Sequence, residues 1–155
     1  MAPTRLRVAL LDVNVLVALF DPHHVHHELA HDWFTEQRAH GWATCPVTEN
    51  GFVRVLSNPA YAGEALRPEL LMARLRKFRA SGHHAFWTDS VSVTDDRIFN
   101  LTRSPGHRQL TDVYLLGLAR KMQGSLATFD RTIPIGAVVG ATAATLQIIE
   151  PVDRA

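Results

Sequence analysis

The chain has 155 residues, 46% of them hydrophobic and 20% charged, and a formal net charge of +1. That length and balance fit one globular domain, residues 1–155, able to bury roughly two-thirds of its unfolded surface, and they give no global charge argument for a polyanionic partner. The single cysteine, Cys45, excludes an internal disulfide and most thiolate metal sites and suits a reducing, cytoplasmic setting.

Arg5 and Arg7 precede an apolar run, as in a signal peptide, but Asp12 and Asn14 interrupt that run and no convincing cleavage site follows. "RVALLD" reads instead as a short buried strand, because continuous apolar runs mark the core of parallel sheets. A helical pattern starts near Val13 and stops before "DPHH", and a second helix is expected over Val25 to Ala39. "GWATCP" predicts a strand, with Pro46 as the first residue of the helix "VTENGFVRVLS", which ends before Asn58-Pro59. "RPELLMARLRKFRA" is an amphipathic helix, and its basic side carries Arg74, Arg76, Lys77 and Arg79. "HAFWT" predicts a third strand, "TDDRIFNL" a short helix and "LTDVYLLGLARKMQ" a long one, with Thr111 as its N-cap. "GSLATFD" and "ATLQIIE" supply two more strands. Thr132 to Ile149 is uncharged, but Pro134 and two glycines make it a loop leading to a strand and not a membrane span. Alternation of strands and helices implies an α/β fold, a mostly parallel sheet of about five strands covered on both faces.

Four acids stand out against this pattern. Asp12 closes the first strand inside an apolar run, where an unpaired carboxylate costs several kcal/mol. Asp130 closes the fourth strand, after "LATF", in the same way. Glu49 shares a helical stripe with Phe52, Val53 and Leu56, and Asp112 shares one with Leu115, Leu116 and Ala119. Each can be read alone as a helix cap, a helix-dipole partner or a turn residue. Together they map to one place, since strand ends and the helix starts that follow them share the carboxyl edge of a parallel sheet. Clustered carboxylates repel and take up protons unless a cation intervenes, and all-oxygen ligands suit Mg²⁺ or Mn²⁺. Hydrolysis of a phosphodiester is the chemistry that such a site serves.

The four segments "LLDVNVLVALF", "TENGFVRVLS", "LTDVYLLGLA" and "LATFD", in that order, resemble PIN-domain ribonucleases, and among these the VapC-type toxins of type II toxin–antitoxin systems. "HHVHHELAHDWF" is similar to the second helix of that family. The resemblance spans nearly the whole chain. It implies a three-layer α/β/α domain, a Mg²⁺- or Mn²⁺-dependent endoribonuclease acting on RNA, a homodimer, and neutralisation by a VapB-type antitoxin. It assigns Asp12, Glu49, Asp112 and Asp130 to the metal and to catalysis; Asn14 is a candidate to orient a carboxylate or a water.

Other features carry less. His27 to His31 matches H-E-x-x-H literally, but a zinc protease needs a third ligand and a cleft, and the helix is short. The basic stripe from Arg74 to Arg79 reads as a solvated face, while Arg54 and Arg108 are placed nearer the acids. Trp33, Trp42 and Trp87 are expected in the core or a dimer interface. The rival readings are a non-catalytic PIN-like module that binds RNA or protein, and a phosphatase with a strand-end aspartate nucleophile. The phosphatase commonly wants a second acid where Asn14 stands.

Overall fold

A computed structural model of the chain describes residues 6–61, 65–103 and 106–151. Five short strands form its sheet: β1 (Ala9–Leu11), β2 (Trp42–Thr44), β3 (His84–Phe86), β4 (Ser125–Thr128) and β5 (Leu146–Ile148). Their order is β3-β2-β1-β4-β5, and all four pairings are parallel. The helices are α1 (Val13–Phe20), α2 (His27–Gln37), α3 (Pro46–Ser57), α4 (Pro68–Arg79) and α5 (Leu110–Lys121).

Side chains alternate across each strand, so the central strands feed two cores. Ala9, Leu11, Trp42 and Ala127 face one way, into a core built with α1 to α4. Leu10, Ala43 and Leu126 face the other, against α5 and the segments around Trp87, Phe99 and Val138. The result is the three-layer α/β/α arrangement expected, with a fully parallel sheet. Trp42 and Trp87 are buried, and Trp33 packs half-buried against the first core.

Two local expectations are corrected. "TDDRIFNL" is not a helix: the Asp95 carboxylate accepts from the Arg97 amide at 2.9 Å in a turn, and Phe99 bridges antiparallel to Val138. Burial of Phe99 against α5 overrides the weak local preference. Thr111 is not the cap of α5 either. A 3₁₀ turn, His107–Gln109, runs directly into the helix, so Gln109 takes the N-cap position and Thr111 lies exposed in the first turn.

The connectivity places the site. From β1 the chain crosses to β2 on one side, while β4 pairs with the other side of β1. The carboxyl edge between β1 and β4 is therefore a topological switch point, where open parallel sheets form their crevices.

Candidate active site

Asp12 stands where β1 becomes α1. Its amide donates to Ala127 O at 3.0 Å, extending the pairing with β4 by one residue. Its carboxylate caps α1 by accepting from the Val13 amide at 2.7 Å, so the capping role read as an alternative is real. The other oxygen accepts from the Thr128 hydroxyl at 2.8 Å. Asp12 is buried, and that burial, with a smaller contribution from Asp130, raises its carboxyl above the usual range against the pull of Thr128 and Val13.

Asp130 follows the neighbouring strand. Its amide donates to the Thr128 hydroxyl at 3.1 Å, and its carboxylate accepts from the Thr132 amide at 2.8 Å and the Thr132 hydroxyl at 2.6 Å. Asp112 enters from the first turn of α5, which runs back from the carboxyl edge before β4. Burial, then Asp12, then Asp130 push the Asp112 carboxyl up to about 7. The three aspartates thus come from distant chain positions to one edge, close enough to shift one another.

Glu49 is held differently. Its oxygens accept from the Thr44 hydroxyl at 2.6 Å and from Arg79 Nη1 at 3.3 Å, with an ion-pair distance to Arg79 of 3.2 Å. The Thr44 hydroxyl has one proton, and it goes to the carboxylate. Hence His84 Nε2, 2.7 Å away, is the donor to Thr44 Oγ1. Burial and Arg79 push the His84 imidazole down to about 4, so it is neutral at physiological pH. Arg79 also lies 4.9 Å over the Phe86 ring and does not belong to a solvated stripe with Arg74, Arg76 and Lys77, which are exposed.

Among the described residues, no three His, Cys, Asp or Glu side chains are gathered as tightly as a complete metal cage requires. Asp12 and Asp130 are instead each satisfied by a threonine hydroxyl and a backbone amide. The donor set remains all-oxygen and anionic, which fits Mg²⁺ or Mn²⁺; Mg²⁺ keeps several waters and needs only one or two carboxylates. The histidines offer no competing zinc site. His27 Nδ1 donates to Ala18 O at 2.7 Å and His31 Nε2 to Leu19 O at 2.8 Å, so both cap the last turn of α1. Asn14 is exposed on the first turn of α1, and Arg54 is exposed on α3.

A family model for the PIN domain matches residues 9–136, from the first residue of β1 to just beyond Asp130. The chain belongs to the PIN-domain family. This PIN domain is 46% identical over 136 residues to Ribonuclease VapC44 of Mycobacterium tuberculosis, a match covering 86% of this chain and 94% of that protein. It is 40% identical over 132 residues to Ribonuclease VapC39 of the same organism, covering 85% and 95% of the two chains. Against Ribonuclease VapC38 it is 46% identical over 123 residues, covering 79% and 85%.

Sequence reasoning missed the residues that hold the acids of this PIN domain: Thr44, Arg79, Thr128, Gln109 and Thr132. Thr44 and Thr128 carry a faint signal, each ending a strand next to an acid-bearing turn or helix. Nothing local marks Arg79, which lies 30 residues from Glu49.

Proposed function

We propose that this protein is an endoribonuclease toxin of the VapC type, hydrolysing RNA phosphodiester bonds at the carboxyl edge of its sheet with Mg²⁺ or Mn²⁺. The observation that carries this reading is the trio Asp12, Asp112 and Asp130, in which burial and then repulsion by the other two push the Asp112 carboxyl up to about 7. Such a site is stabilised by a hard cation, and it occurs in a chain 46% identical to a ribonuclease over most of its length.

Asp12, Asp112 and Asp130 would hold the metal directly or through water, joined by Glu49. Once bound, a divalent cation supplies charge neutralisation and activation of water toward the phosphorus. The protein's own part is orientation. Thr128 and the Val13 amide fix both oxygens of Asp12, Thr132 fixes Asp130, and α5 presents Asp112 from its first turn. Asn14, exposed beside Asp12, would orient a carboxylate or a water. A homodimer, a VapB-type antitoxin as partner and a cytoplasmic location complete the proposal. No helix among the described residues is long and apolar enough to cross a membrane.

The test is cleavage of total cellular RNA by purified protein in Mg²⁺, Mn²⁺ or EDTA, beside Asp12→Asn. Discrete fragments that need the metal and disappear in the variant are expected. RNA bound equally by both proteins and left intact would favour the non-catalytic module instead.

A further inference from the structure

A cavity of about 410 Å³ opens beside Asp130, walled by Gly106, His107, Arg108, Gln109 and Thr132. Its size falls within the roughly 300–1,000 Å³ of ligand pockets. A larger recess of about 850 Å³ lies around Val8, Ser125 and Leu146, at the opposite edge of the sheet from the acids. Of these two, the first is lined by one of the aspartates, Asp130.

Its walls are built and not incidental. Gln109 Nε2 donates to Thr132 O and to Thr132 Oγ1, each at 2.9 Å, tying the entry of α5 to the loop after β4. The same Thr132 hydroxyl donates to Asp130, so one chain of hydrogen bonds joins the pocket wall to the carboxylate. Gln109 Oε1 is enclosed with no partner among the described residues. Gly106, at φ 135°, turns the chain into this wall, and open space lies where a Cβ would stand. Arg108 and His107 are both exposed. Among the described residues no carboxylate lies within ion-pair distance of Arg108, although Asp130 lines the same cavity.

We propose that this cavity is the subsite for the RNA nucleotide next to the scissile phosphate, with Arg108 gripping that nucleotide's phosphate and the Gln109–Thr132 clasp forming the wall. The inference rests on the ribonuclease reading above and deepens it. A trio of carboxylates repels the RNA backbone, so a guanidinium with no acidic partner among the described residues, on the rim of the pocket that Asp130 lines, supplies the opposite charge where the strand must pass. Its planar fork matches two phosphate oxygens. A nucleotide leaving the scissile position in a single strand then has both a charge anchor and a recess for its base.

The test uses a fluorescent single-stranded RNA oligonucleotide and full-length protein silenced by Asp112→Asn, with binding measured across a range of salt concentrations. Adding Arg108→Gln is expected to weaken binding about tenfold and to reduce the salt slope by about 0.7, the loss of one phosphate contact on a single strand. Arg108→Lys should restore the slope, since it keeps the charge, while recovering only part of the affinity. In the otherwise unaltered protein, Arg108→Gln should raise KM for RNA, leave kcat nearly unchanged, and leave Mn²⁺ affinity measured without RNA untouched. An unchanged salt slope and unchanged affinity in Arg108→Gln would overturn the subsite. If the unaltered protein binds RNA but never cuts it, the ribonuclease reading falls, and the salt slopes still decide whether Arg108 holds a phosphate.

Discussion

The Thr128 hydroxyl donates to Asp12 at 2.8 Å and accepts from the Asp130 amide at 3.1 Å, so one small side chain sets the spacing of two strand-end acids. It is buried, and so is the carboxylate it serves. Thr128→Val keeps the shape and removes the donor, leaving part of a buried carboxylate unsatisfied. Urea unfolding should show a loss of about 1–3 kcal/mol, and RNA cleavage should fall by tenfold or more through misorientation of Asp12. Thr128→Ser should preserve most of both, and a full-rate Thr128→Val protein would remove Thr128 from the site. The acids themselves were legible as residues because each breaks an apolar pattern. Their partners were not, because a buried threonine in a strand looks like any β-branched residue.

At the scale of elements, α1 and α3 are placed by a glycine. A Cβ on Gly51 would lie 2.7 Å from Val13 Cγ2, so the two helices meet at a distance that only glycine permits. Gly51→Ala should overpack this crossing and cost about 1–3 kcal/mol. Val13 is also the residue whose amide caps onto Asp12, so the displacement reaches the site. The expected outcome is a lower Tm together with a reduced kcat; a lower Tm with unchanged kcat would show that α1 gives way without moving its N-terminus. Most helices and strands were readable from periodicity, including α3 from Pro46 and the four-residue β4. The failures share one cause. "TDDRIFNL" and the entry to α5 are shaped by partners on other segments, Val138 for Phe99 and Thr132 for Gln109, which no local pattern encodes.

For the whole molecule the raised acids make stability depend on pH. The Asp112 carboxyl titrates at about 7 when folded and near its ordinary 3.8 when unfolded. Below the unfolded value both states are protonated. Between the two values the folded state holds a proton that the unfolded state has released, so stability declines as pH rises, and the loss is complete above about 7. Asp12, also raised, acts in the same direction. His84, held down to about 4, acts oppositely between that value and its ordinary 6.5. Thermal unfolding therefore compares wild type with Asp112→Asn: from pH 5 to pH 8 the metal-free wild type should lose more Tm, or gain less, than the variant. Mg²⁺ or Mn²⁺ should raise the Tm more at pH 8 than at pH 5, because only the ionised carboxylates bind it. Asp112→Asn should also shrink the difference in metal response between the two pH values. A metal-free Tm whose change from pH 5 to pH 8 is the same in wild type and Asp112→Asn would contradict the charge cluster.

The sequence alone determined the strands and most of the helices, the parallel sheet and the placement of Asp12, Asp112 and Asp130 at its carboxyl edge. Those properties follow from period-2 and period-3.6 burial and from the rule that parallel strands end where their helices begin, all expressed over a few neighbouring residues. Only the tertiary structure decided how the acids are held. It paired Glu49 with Arg79 and not with the aspartates, turned His27 and His31 onto the carbonyls of α1, and linked Gln109 through Thr132 to Asp130. Hydrogen bonds and ion pairs depend on distances of a few ångströms between chain segments that sequence spacing leaves free, and folding alone sets those distances.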